Sequence, residues 1–134
     1  MMFGDKAVSA MYRFVKSSIA AADEGKVPVY KYERPKKLAA KEYIVINHLP
    51  FVNNGSVGEG VVNVNIHTAQ TASGEPNAKR LIALASAILS QMDSDTYLDG
   101  AYFEYYCDSR PTQDNDETYY MNIKFNVEFN NLRN

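Results

Sequence analysis

Three side chains in this sequence carry the chemistry for nucleophilic catalysis or metal binding: His48, His67 and Cys107. The 134 residues contain only these two histidines and this one cysteine. A zinc-type site needs a third ligand, and the chain has neither a helix-borne histidine pair nor Cys/His spacing to supply one. Both histidines stand near the end of a β-run and read as structural residues. A Cys107/His67 nucleophile–base pair would have to form in space, because such partners are not adjacent in sequence, and nothing local supports it. The acidic run Asp114-Asn115-Asp116-Glu117 lacks the central glycine and the properly spaced glutamate of a calcium loop, as does Asp93-Ser94-Asp95. The glycine-containing stretches 54–60 and 73–75 match no phosphate loop: the first precedes a strand, and no Gly-Lys-Ser/Thr follows. They read as flexible loops. Tyr102, Phe103, Tyr105, Tyr106, Tyr119 and Tyr120 could stack on single-stranded nucleic acid. That use requires a basic groove, and Glu104, Asp108, Asp114, Asp116 and Glu117 surround these rings with negative charge. Core packing, cross-strand packing and protein contact are the uses that remain.

The elements that must position these side chains follow from periodicity. Val8, Met11, Tyr12, Val15, Ile19 and Ala22 recur at helical spacing, with Gly25 placed to end that helix. Val27 to Tyr32 reads as a short edge strand, since Pro28 cannot donate to a ladder. Tyr43 to His48 is a second strand. Val62, Val64 and Ile66 alternate with Asn63, Asn65 and His67 in a third. Pro76 suits the first turn of a helix over Asn77–Met92 that buries Leu81, Leu84, Ala85, Ile88 and Met92. Gly100–Asp108 and Glu117–Asn130 pair as a hairpin with a long polar tip. In the last strand Met121, Ile123, Phe125, Val127 and Phe129 share one side, and Asn122, Lys124, Asn126, Glu128 and Asn130 the other. The expected fold is α+β in the order α-β-β-β-α-β-β. Its mainly antiparallel sheet has four to five strands and both helices on one face, in one domain over residues 1–134.

Lysine plus arginine (14) nearly balance aspartate plus glutamate (16), for a formal charge of −2. That argues against nucleic-acid specificity, which relies on clustered positive charge. A single cysteine excludes an intramolecular disulfide. Met1 to Ala22 has charges spread through it rather than a continuous apolar core, so it does not read as a signal peptide, and no stretch approaches a membrane span. Synthesis and folding in the cytoplasm are expected.

In pattern the chain resembles the tail terminator (tail completion) proteins of long-tailed bacteriophages, and the related head–tail neck proteins. The likeness runs over most of residues 5 to 130. It includes the N-terminal amphipathic helix, Val27-Pro28-Val29-Tyr30 with Arg34-Pro35, and the Tyr43-Ile44-Val45-Ile46 strand. It continues with Val64-Asn65-Ile66-His67 leading through a Gly/Pro turn into Arg80-Leu81-Ile82-Ala83-Leu84, and a tyrosine-bearing hairpin ending in Ile123-Lys124-Phe125-Asn126-Val127. The resemblance implies a structural virion protein of the tail or neck, made in the bacterial host cytoplasm. Such proteins form a ring, usually of six subunits, that caps the tail tube, ends its polymerisation and offers a joining surface to the head connector. The implied partners are further copies of the chain, the tail tube protein and the head–tail connector. No cofactor, metal or catalytic residue belongs to that role.

A closed ring needs two different patches per subunit. The polar sheet face, the exposed edge near Pro28 and the polar loops Pro50–Gly60 and Asp108–Glu117 offer such patches, and the two loops are expected to be mobile when isolated and ordered against neighbours. The candidate interface residues are Asn53, Asn54, Ser56, Glu59, Arg110, Asp114 and Asp116. The alternative from another class is a small cytoplasmic enzyme or ligand-binding α+β domain with a site near His67 and Cys107.

Overall fold

The structure is a computed structural model that describes residues 2–36, 41–53, 57–92, 95–115 and 117–130. Two helices, α1 (Phe3–Ala21) and α2 (Ala78–Leu89), pack on a curled, mixed sheet of eight strands. The strands are β1 (Val29–Lys31), β2 (Tyr43–His48), β3 (Val52–Asn53), β4 (Val57–Ala69), β5 (Asp95–Leu98), β6 (Ala101–Asp108), β7 (Thr112–Asn115) and β8 (Thr118–Asn130). Their spatial order is β1-β2-β4-β8-β6-β5, with β3 added to β4 and β7 added to β8. Among the described residues only β1 and β2 pair in parallel. No helix among the described residues is long and apolar enough to cross a membrane.

The four- to five-strand expectation is therefore corrected to eight, with a parallel edge pair. The three additional strands have only two, four and four residues, too few to carry a clear hydrophobic alternation. β5 still had a readable signal. Leu98 pairs with Ala101 across Asp99-Gly100, whose φ angles of 49° and 89° give the left-handed pair of a two-residue hairpin turn. The long polar tip before β8 is also corrected. β6 and β7 lie along the same side of β8, joined through Ser109, whose N–H donates to Asn122 O at 2.8 Å. Asn115 lies opposite Thr118. Similarly, β3 and the extended start of β4 occupy part of the expected Pro50–Gly60 loop.

α1 buries Val8, Met11, Val15 and Ile19 as its spacing requires. Its end differs from expectation: Asp23, not Gly25, takes the left-handed position at φ 65°. Glu24 N–H reaches Ile19 O at 2.8 Å and Asp23 N–H reaches Ala20 O at 3.1 Å, a paired closure of the last turn. α2 begins at Asn77, whose side chain accepts from Arg80 N–H at 3.2 Å, so Pro76 stands ahead of the cap. The helix ends three residues before Met92, which is half-buried beyond it.

The core lies between these helices and one face of the sheet. Ile44, Ile66 and Met121 share one cross-strand row, and Ile46, Val64 and Ile123 the next. Phe125 is fully buried, as are Phe103, Leu81 and Leu84. Gly58 and Gly60 are strand residues rather than loop residues. A Cβ at Gly58 would stand 2.6 Å from the Phe3 ring, and one at Gly60 2.3 Å from the Phe51 ring. The bare backbone there lets Phe3 lie against β4 and stack on Phe129, with ring centroids 5.0 Å apart.

Across the helices, Arg80 of α2 donates to both oxygens of Glu24 (2.8 Å each) and both oxygens of Glu42 (2.7 and 2.9 Å). The guanidinium ties the end of α1 to the approach to β2, and its hydrogen bonds hold the Glu24 carboxyl below its ordinary range.

Phe125→Ala is expected to cost about 3–5 kcal/mol in urea unfolding, since it empties the centre of this core. Gly58→Ala should cost about 1–3 kcal/mol by displacing Phe3. At Gly25 an added Cβ would meet only Ala20 Cα, at an ordinary 3.8 Å, and no positive φ is required; Gly25→Ala should leave stability unchanged or raise it by about 0.4–1 kcal/mol. A reversed order of the two glycine variants would contradict the placement of β4.

Candidate functional site

The sheet face away from the helices carries the polar half of each alternating strand. Three cross-strand rows are set by the register: Tyr43, His67 and Tyr120; Val45, Asn65 and Asn122; Asn47, Asn63 and Lys124. The sequence pattern predicts a solvated face, yet Asn63 and His67 are only 7% and 9% exposed. Asn63 and its neighbours satisfy one another instead. Asn63 Nδ2 donates to Asn47 Oδ1 at 2.9 Å, while Asn63 Oδ1 accepts from Lys124 Nζ at 2.8 Å and Asn122 Nδ2 at 3.3 Å. Asn122 Nδ2 also reaches Asn65 Oδ1 at 2.9 Å. A buried amide ladder of this kind costs little while every member is paired.

His67 is held between two rings, stacked on Tyr43 at 4.3 Å and on Tyr120 at 5.5 Å. Arg34 covers the Tyr43 ring at 5.6 Å. The Asp114 carboxylate stands 3.3 Å from His67 Nδ1 but is not aligned for a hydrogen bond, so the buried nitrogen has a carboxylate neighbour without a hydrogen bond. These side chains line a cavity of about 340 Å³. Burial lowers the His67 pKa, Asp114 works against that shift, and Arg34 adds slightly to it. Burial wins, so the ring is neutral at pH 7. Because the unfolded chain binds this proton more readily, His67 supports folding above the ordinary histidine range and withdraws that support as pH falls below it.

The other chemistry-bearing residues do not join His67. His48 projects from the opposite, helix-covered face: an added Cβ on Gly4 of α1 would meet its ring at 2.3 Å, and its Nδ1 lies 2.7 Å from Leu49 O. Cys107 pairs with Lys124, four residues along β8 from Tyr120, the partner of His67. At strand spacings that separates the Cys107 and His67 backbones by roughly 16 Å. Among the described residues no three His, Cys, Asp or Glu side chains form a group able to hold a metal.

A larger trough of about 800 Å³ opens further along the same face, over β4, β8 and β6. Glu59 stands directly opposite Glu128, and Glu104 opposite Asn126. Val52, 62% exposed, and Tyr102, 55% exposed, form apolar parts of its wall, and Tyr97 packs edge-on to Tyr102 at 4.8 Å. Of the aromatic group noted in the sequence, Phe103 is core, Tyr119 and Tyr120 are half-buried, and Tyr102, Tyr105 and Tyr106 are exposed.

The candidate interface residues divide among these features. Asn53 lies on β3 and Glu59 on the adjoining part of β4, beside the trough. Arg110 is exposed in the β6–β7 connection, and Asp114 reaches over the sheet to His67. Asn54, Ser56 and Asp116 lie outside the described residues. The Glu59–Glu128 opposition and the Arg80 clamp depend on register and helix docking, which sequence spacing does not show.

No protein-family model and no curated protein matches the chain. Solved structures do. The chain is similar to one from the virion of a native gene transfer agent (GTA) particle, at 15% identity and a TM-score of 0.58. That match covers 92% of this chain and 98% of the other. A second solved structure matches at 16% identity and a TM-score of 0.52, over 92% of this chain and 93% of its own. At these identities the likeness is one of fold.

Two histidines allow direct observation of His67 by NMR titration. Asp114→Asn should lower its midpoint further, and Arg34→Gln should raise it. An unmoved midpoint in Asp114→Asn would place the β7 carboxylate away from the ring in solution.

Proposed function

We propose that this chain is a non-enzymatic structural subunit of a phage-like virion, acting over residues 1–134 as one tail-terminator-like domain. In this reading it forms a ring, usually of six copies, on the finished tail tube. The ring ends tube polymerisation and presents a joining surface to the head connector. The observation that carries the reading is the end-to-end fold likeness to a GTA virion chain, which spans nearly the whole of both molecules. The pattern resemblance to tail terminators points the same way. The exposed tyrosines and the unneutralised carboxylates of the trough suit a surface completed by other proteins. No cofactor, nucleic-acid specificity or membrane enters the role, and the protein would reside in the tail or neck of the particle.

One observation favours the enzymatic or ligand-binding alternative: the cavity in which His67 meets Asp114. A base oriented by a carboxylate resembles part of a catalytic triad. Cys107, the thiol that could serve as its nucleophile, is roughly 16 Å away by strand spacing. The stacked rings and paired amides make it a packed structural row.

The role is tested by polymerising the cognate tail tube protein with and without this chain. Tubes of defined, capped length in its presence, and overlong tubes in its absence, are expected. Unchanged tube length would refute tail capping.

A further inference from the structure

We propose that the acidic trough over β4, β8 and β6 receives the basic segment Lys31–Lys36 of a second copy, making a head-to-tail contact. This rests on the ring-forming reading above and assigns the surfaces that would close the ring. Charge is divided sharply along the chain. Residues 1–41 hold nine Lys/Arg and four Asp/Glu, a net of +5, whereas residues 42–134 hold five and twelve, a net of −7. The fold turns that division into geometry, because β1 lies at one end of the strand order while β6 and β5 lie at the other.

The segment has the form of a knob. Every residue from Lys31 to Lys36 is exposed. Its base is fixed by Tyr32, which adopts φ 71°, an uncommon backbone state for a bulky side chain, and donates its hydroxyl to Asp5 at 2.6 Å. Lys31, Arg34 and Lys36, which outweigh Glu33 in the segment, form no ion pair among the described residues, although Lys31 lies over the Tyr12 ring and Arg34 over the Tyr43 ring. Pro35 stiffens the segment and has no N–H to leave unpaired on burial.

The trough is complementary. Glu59, Glu104 and Glu128 also form no ion pair among the described residues, and two of them face each other directly across β4 and β8. Like charges so placed are unfavourable, and an incoming cation relieves them. Val52 and Tyr102 supply exposed apolar surface beside those carboxylates, and a proline ring and lysine stems can cover it. A copy does not fill its own trough: Glu128 on β8 is three strand spacings from β1, about 14 Å. Two distinct patches per subunit give a heterologous contact, which closes into a ring or extends as a filament.

The test is sedimentation velocity on the full chain and two charge-reversed variants, one with Arg34→Glu and Lys36→Glu, the other with Glu59→Lys and Glu128→Lys. The wild type should self-associate, more weakly as ionic strength rises. Each variant alone should associate about 100-fold more weakly, because knob and trough then carry the same sign. An equal mixture should regain association, since each variant's knob again meets an opposite trough. The mixture also controls for folding, because misfolded variants cannot complement each other. Variants that associate like the wild type, or a mixture that fails while each variant keeps the wild-type urea midpoint, would overturn the contact and leave the ring reading standing. A wild type that stays monomeric at every concentration and salt would overturn both, leaving the trough to a different basic protein.

Discussion

The thirteen-residue antiparallel pairing of β4 with β8 is the constraint on which the rest of the structure depends. It runs unbroken from Val57 opposite Asn130 to Ala69 opposite Thr118. Both strands alternate with period two, so this one register assigns every side chain on them to a face. A slip of β8 by one residue against β4 would expose Phe125 and Ile123 and turn Lys124 and Asn122 toward the core beside Val64. With the register fixed, the apolar rows receive α1 and α2. The asparagine–lysine ladder and the His67 stack fall on the other side. β2 extends the sheet from the outer edge of β4, and β6 and β7 share the outer edge of β8.

Small side chains set how closely the remaining parts approach that pair. Gly58 and Gly60 thin β4 where Phe3 and Phe51 press on it, and Gly4 thins α1 where the His48 ring lies. The Arg80 clamp then fixes the two helices to the approach to β2. What the pairing leaves over is an edge rich in cations on one side and a carboxylate-lined trough on the other. In a monomer the facing glutamates are a standing electrostatic cost. In the proposed assembly they become half of a contact.

Much of this was legible in the sequence because burial imposes periodicity. The Leu81, Leu84, Ala85 and Ile88 stripe, the Met121–Phe129 alternation and the Pro28 edge all appear where their patterns place them. Features without a hydrophobic period did not show. β3 has two residues, β7 is wholly polar, and both depend on a partner strand for their definition. Asp23 replaces the expected glycine because a short polar side chain tolerates the left-handed conformation. The alternation places Asn63 and His67 on the polar face, which marks polarity and not exposure. Their burial comes from the rings and amides brought beside them by β2 and β8. The polar loops expected around Asn53 and Asp114 are partly strand.

Electron microscopy of the purified protein at low ionic strength tests the account most directly. Closed rings of uniform subunit number are expected, as a heterologous contact between the Lys31–Lys36 segment and the trough over β4, β8 and β6 would produce. Single subunits alone, or pairs related by a two-fold axis, would contradict it.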